Sequence, residues 1–233
     1  MSKGITYEKK INQILKVKQV QLVSTQSAGA SDAPDGFFWN IGTRYPLEIK
    51  GIGADFTQIE LRWTKERGFF YSEKSKNADF RDFLLNNKPE FLERINNEWT
   101  KTPRKFNVEN PTKEDRLWDV HNFKDIKDPV DVLFVECFYN LKNPPVNYMQ
   151  IENRGFFYMD EDIAGLGVPR INGKPYLRAR VKTRNKILWG FLVAIKMPYI
   201  EKSNYDIEEK VGDFPFSEGD HIRNSQTRLN NYF

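Results

Sequence analysis

The sequence is poor in the residues that staple or ligate. It has 233 residues but one cysteine and two histidines. With Cys137 alone, an intrachain disulfide is excluded, and with it the disulfide-framed folds of small secreted proteins. The histidines, His121 and His221, each stand alone in polar segments and are assigned no role. No apolar run approaches the roughly 18 residues that read as a membrane span. The start, Met1-Ser2-Lys3-Gly4, lacks the apolar core of a signal peptide. These absences predict no membrane span, a cytoplasmic protein and a buried thiol at Cys137. Acid is also missing locally: residues 163–200 contain no Asp or Glu but eight Lys or Arg, in a chain whose net charge is only +4.

What is present builds a core. Hydrophobic residues make up 39% of the chain, including 18 Phe and five Trp. That suffices for one large domain or two small ones, and the undivided organisation is read as a single domain, 1–233. Ile11, Ile14, Leu15 and Val17 recur at helical spacing and predict a first helix over 7–20, with Thr6 as its cap. A short strand at 21–25 leads into a loop rich in Ser, Ala and Gly. There Ser27, Gly29 and Ser31 either approach phosphates or simply connect. Strands are predicted at 37–39, 45–50 and 69–71; 58–63 alternates like a strand but also fits the start of a helix; helices are predicted at 78–87 and 89–99, the second opening on Pro89. Residues 100–129 are polar, hold Pro103, Pro111 and Pro129, and read as a long connection. Val130–Tyr139 reads as a central strand. Further strands are expected at 146–151, 155–159, 177–184 and 187–197, the last two as a hairpin across Asn185-Lys186. The pentapeptide Arg-Gly-Phe-Phe-Tyr occurs at 67–71 and 154–158 without a wider repeat, by coincidence or similar local packing. The polar tail, 224–231, either contacts DNA or frays. The fold class is α/β (α+β): a central mixed β-sheet flanked by helices, with additional strands.

One constellation carries chemistry. Pro34-Asp35-Gly36 is followed, after a short apolar strand and a turn, by Glu48-Ile49-Lys50. Residues two apart share a strand face, so Glu48 and Lys50 point together while Ile49 points to the core. A hairpin brings Asp35 beside them. Two carboxylates suffice for Mg²⁺, which takes oxygen ligands and keeps several waters. A neighbouring ammonium orients the attacking water or stabilises charge on a phosphate.

This pattern resembles the PD-(D/E)xK nuclease superfamily, which includes many type II restriction endonucleases and Holliday-junction resolvases. The resemblance covers about residues 5–60. It implies a restriction-endonuclease-like core, with Asp35 and Glu48 binding Mg²⁺ and Lys50 assisting the water. It also carries Glu8, as the upstream acid of the first helix, and Gln58, as a glutamine following the lysine.

The acid-free segment supplies a second signal. Leu177–Arg184 alternates strictly, setting Arg178, Arg180, Lys182 and Arg184 on one strand face, with Lys186 close behind. Like charges at this spacing repel unless a polyanion or acidic neighbours offset them. A nucleic-acid backbone is one counterion; a solvated edge strand is the other reading. The resulting expectation is a Mg²⁺-dependent, sequence-specific endonuclease of double-stranded DNA. Its catalytic core spans about 5–100, and recognition-rich strands span about 130–200. Cutting both strands most simply takes a homodimer, and a restriction enzyme needs a DNA methyltransferase acting on the same site. The alternatives are a structure-selective nuclease (a junction resolvase or a phage or repair nuclease) and a basic DNA-binding protein without activity.

Overall fold

This computed structural model describes residues 3–18, 34–74, 77–183, 188–208 and 214–216. Their elements run α1 (Lys3–Val17), β1 (Gly36–Asn40), β2 (Thr43–Lys50), β3 (Thr57–Thr64), β4 (Gly68–Tyr71), α2 (Ala78–Asn87) and α3 (Pro89–Glu98). They continue with α4 (Arg104–Asn107), α5 (Lys113–Asn122), β5 (Ile126–Pro129), α6 (Val132–Asn140), β6 (Tyr148–Ile151), β7 (Gly155–Tyr158), β8 (Tyr176–Thr183) and β9 (Trp189–Lys196). The class is mixed α+β, with two sheets among the described residues. The chain divides into two compact units, 1–54 with 132–174 and 198–233, and 55–131 with 175–197. The predicted strand at 21–25, Ser27, Gly29, Ser31, the Asn185-Lys186 turn, His221 and the 224–231 tail lie outside the described residues. Among the described residues no helix is long and apolar enough to cross a membrane.

In the first unit, Tyr7, Ile11 and Leu15 recur every four residues on α1, and all are buried. They join Phe38 of β1, Leu47 and Ile49 of β2, Tyr148 of β6 and Phe156 of β7 in one core. The helix begins at Lys3, so Thr6 lies inside its first turns rather than capping it. The sheet order is β1-β2-β6-β7. β1 and β2 are antiparallel, β2 and β6 parallel, β6 and β7 antiparallel, which makes this sheet mixed. Ile41 and Gly42, both at positive φ (45° and 77°), close the β1–β2 hairpin. Two such residues in a two-residue loop give the turn whose twist matches the strands. Beneath the sheet, Gln150 of β6 is fully buried. Its amide donates to Tyr7 Oη (3.0 Å) and Asp206 Oδ1 (2.9 Å), and its carbonyl accepts from Ile207 N (3.2 Å). One side chain thus ties the segment around Asp206 to α1 and β6.

Residues 132–140 are helical, where the sequence predicted a central strand. The run is rich in β-branched and aromatic residues, but its buried positions, Val135, Glu136, Phe138 and Tyr139, fall on one side of a helix, whereas strand alternation would separate Val135 from Glu136 and Phe138 from Tyr139. Short apolar runs of this kind satisfy both patterns until a packing partner selects one. Cys137 falls on the outer side of α6 and is exposed, not buried.

In the second unit the sheet runs β4-β3-β9-β8-β5, antiparallel throughout. The register sorts its side chains. Phe69, Leu61, Ile59, Phe191, Val193, Ile195, Leu177, Ala179 and Ile126 share one face, and all are buried. Residues on and just after the helices pack there: the Phe69 ring meets Trp99, which follows α3, at 5.1 Å, and Phe191 meets Phe106 of α4 at 5.6 Å. The segment 100–129, expected to be a connection, instead holds α4, α5 and β5. Its start signal is Thr112-x-x-Asp115. The Thr112 hydroxyl caps the Asp115 amide, and the Asp115 carboxylate returns to the Thr112 amide, a reciprocal cap. Asp119 of α5 has no exposed surface. It accepts from the amides of Arg104 (2.9 Å) and Lys105 (3.0 Å) at the start of α4, and from Trp189 Nε1 of β9 (2.8 Å).

The two Arg-Gly-Phe-Phe-Tyr copies fall one in each unit and do the same local job. Gly68 (φ 67°) and Gly155 (φ 103°) each open the second strand of an antiparallel pair. A Cβ at Gly155 would lie 2.4 Å from the Tyr205 carbonyl, and one at Gly68 would lie 2.4 Å from Asn96 Oδ1. Left-handed backbone and close approach together demand glycine at both places.

Candidate functional site

The hairpin of the first unit assembles the acidic constellation. Its register pairs Gly36 with Leu47, so one step further Asp35 stands beside Glu48. The Ile49 amide, between Glu48 and Lys50, donates to Asp35 Oδ2 at 3.0 Å, fixing the Asp35 carboxylate on β2. Lys50 Nζ forms an ion pair with Glu48 Oε1 and lies 3.8 Å from Asp35 Oδ2. The strand alternation that sends Leu47 and Ile49 into the core sends Glu48 and Lys50 to the opposite face. Asp35, Glu48 and Lys50 therefore converge.

Glu8 comes to the same place from α1. It is buried, and its carboxyl is pushed up to about 7, first by burial and then by the Asp35 charge, with Lys50 opposing. Glu48 is buried as well. Burial raises its carboxyl above the usual range, Lys50 works against that, and Asp35 adds to it. Burial also disfavours the Lys50 ammonium, but Glu48, Tyr139 and Asp35 outweigh it and hold Lys50 protonated. Acids crowded at this density favour a cation among them.

Two supporting residues escaped the sequence reading. Asn12, one helical turn after Glu8, donates from Nδ2 to the Asp35 carbonyl at 3.1 Å. Gly36 makes room for it, since a Cβ there would lie 2.6 Å from Asn12 Oδ1. The i,i+4 spacing of Glu8 and Asn12 was the available signal. Tyr139 of α6 donates its hydroxyl to Glu48 Oε1 at 3.3 Å and is buried. Nothing local marks it, because 91 positions separate the pair.

Gln58 belongs to the second unit. There its Oε1 accepts from Lys182 Nζ at 2.8 Å, and its carbonyl accepts from Asn77. Of the basic strand, Arg178, Arg180 and Lys182 share one face of β8, as the alternation predicted. Arg184 and Lys186 lie outside the described residues. Acidic neighbours offset part of this charge. Asp125 pairs with Arg178 (2.8 Å to Nε), and Asp55 pairs with Arg180 (2.8 Å) and Lys182 (3.5 Å).

Among the described residues no group of three or more His, Cys, Asp or Glu side chains is arranged to hold a metal ion. The donor chemistry at Asp35 and Glu48 nonetheless suits a hard cation, being all oxygen, and Mg²⁺ commonly takes one or two carboxylates and keeps water elsewhere. No known protein family, curated protein or solved structure matches the chain.

Proposed function

We propose that this chain is a Mg²⁺-dependent endonuclease of double-stranded DNA, of the restriction type. The observation that carries the proposal is the convergence of Asp35, Glu48 and Lys50 from a turn and a strand, with the buried Glu8 of α1 feeling their charge. A mixed sheet bearing the acids on its β1–β2 hairpin, with α1 packed against it, supports a restriction-endonuclease-like core. Asp35 and Glu48 hold the metal. Mg²⁺ bound there would lower the pKa of a water and offset charge on the phosphate. Lys50, kept protonated by its acidic neighbours, would orient the attacking water or stabilise the charge building on the phosphate oxygens. Asp35 is held in place by the Ile49 amide, and Glu48 by Lys50 and Tyr139. The basic face of β8 meets the DNA backbone, and a homodimer brings one site to each strand.

The test is digestion of supercoiled plasmid by the purified chain with and without Mg²⁺. Discrete fragments that need Mg²⁺ are expected. Cutting confined to branched DNA would replace restriction with a structure-selective nuclease, and no cutting of any DNA in Mg²⁺ or Mn²⁺ defeats the proposal. Tyr139 gives a finer check. A partner that orients a metal ligand typically contributes 10–100-fold to metal affinity or activity. Tyr139→Phe is expected to raise the Mg²⁺ concentration for half-maximal cleavage about tenfold, the low end of that range for a 3.3 Å bond. A lower melting temperature with an unchanged Mg²⁺ requirement would assign Tyr139 to packing alone.

A further inference from the structure

A carboxylate stands where the basic face of the second unit is densest. Arg180 and Lys182 on β8 and Lys196 on β9 converge on Asp55, just before β3. Arg180 Nη2 lies 2.8 Å and Lys182 Nζ 3.5 Å from Oδ2, and Lys196 Nζ lies 3.1 Å from Oδ1. Three cations thus share one carboxylate. Burial pushes the Asp55 carboxyl up, but Lys196, Arg180 and Lys182 together outweigh burial and hold it below its ordinary value, so it is ionised.

The cluster is under-satisfied in a specific way. A guanidinium presents Nε and Nη2 side by side to two oxygens, the geometry that suits carboxylate and phosphate alike. Here Nη2 is engaged, while Nε is buried and has no acceptor among the described residues. Half of the Arg180 fork is thus unused. Register places Arg178 and Lys127 on the same sheet face, opposite the one that Phe69 and Phe191 turn to the helices. Lys182 keeps 35% of its side chain exposed, so the cluster has an outlet to solvent.

We propose that Asp55 is a built-in phosphate surrogate. It keeps Arg180, Lys182 and Lys196 gathered in the free protein, and a backbone phosphate of double-stranded DNA displaces it from them on binding. The inference rests on DNA as the polyanion partner, taken from the proposed function, but not on cleavage. Asp55 then acts as an internal competitor that weakens backbone binding and keeps the basic face from repelling itself when empty.

The experiment measures binding of a short DNA duplex to the full chain in EDTA, over a series of KCl concentrations. Each phosphate contact contributes a slope of about 0.9 in log affinity against log salt, or about eightfold at roughly 0.1 M salt. Asp55→Asn removes the competitor and frees one further contact. It is expected to bind about eightfold tighter, with a slope steeper by about 0.9. Glu114→Gln, on the exposed start of α5, makes the same change in net charge and is expected to leave both readings unmoved. If both variants tighten binding equally, bulk charge explains the gain and the proposal fails. It also fails if folded Asp55→Asn binds no better than wild type. Lys182→Gln keeps the proposal testable should Asp55→Asn not fold: binding about eightfold weaker with a shallower slope is expected, and unchanged binding overturns it. Wild type that binds single strands or RNA but not the duplex overturns it as well. A protein that passes these tests yet never cuts DNA fails only as a nuclease. One that cuts while Asp55→Asn shows no gain fails only here.

Discussion

Glu48→Gln is expected to lower Mg²⁺-dependent cleavage by at least about a thousandfold, the loss of some 4 kcal/mol of transition-state stabilisation. Gln keeps the volume of Glu48 and an oxygen for Tyr139, but it removes the charge that binds metal. Both Gln and Ala leave Asp35, 3.8 Å away, as the remaining ion-pair partner of Lys50, but Gln also keeps an oxygen toward the ammonium, which Ala would not. A second readout does not depend on turnover. A ligand that binds only the folded state stabilises it, by about 1.4 kcal/mol at a tenfold excess over Kd. Mg²⁺ or Ca²⁺ added to metal-free protein should therefore raise the melting temperature of the wild type and leave Glu48→Gln unmoved. Cleavage within tenfold of wild type by a folded Glu48→Gln protein would remove Glu48 from the chemistry. If the wild type itself gains no stability from either cation, no metal binds there.

The largest stability effect is expected at Asp119. Its carboxylate satisfies two backbone amides and the Trp189 indole from a position with no exposed surface. Burial pushes its carboxyl up, while Trp189 and the amides of Arg104 and Lys105 pull it down. Removing the acceptor leaves buried donors unpaired, at about 1–3 kcal/mol each. Water reaches the half-buried α4 end more readily than Trp189, so Asp119→Ala should cost roughly 4 kcal/mol in all. For a chain of this size that is a fall of about 8–16 °C in melting temperature. Asp119→Asn should recover less than half of it, because its amide turns a donor toward donors. Thermal and urea unfolding would decide the matter, and an Asp119→Ala protein within about 1 kcal/mol of wild type would show that the three bonds hold little.

The acidic constellation was legible because its geometry is local. Strand alternation aims Glu48 and Lys50 together, and a two-residue turn at Ile41-Gly42 returns the chain so that Asp35 meets them. The alternation of β8 was equally plain. The helix at 132–140 was not, since its residue types favour a strand and only its packing selects a helix face. The segment around α4 and α5 read as a connection because its prolines and charges hid a Thr112-x-x-Asp115 cap and a fully buried Asp119.

By itself the sequence determined the features that neighbours along the chain dictate: the hairpin, the sharing of a face by alternate residues, the all-oxygen character of the candidate site and the absence of a disulfide. Tertiary structure alone decided the rest. It set Tyr139 against Glu48 across 91 positions, Asp55 against three cations of β8 and β9, and Gln58 beside Lys182 in the second unit. The physical reason is common to all three. A charge or hydroxyl is chemically mute in sequence until burial removes its water, and which groups replace that water depends on contacts that no local spacing encodes.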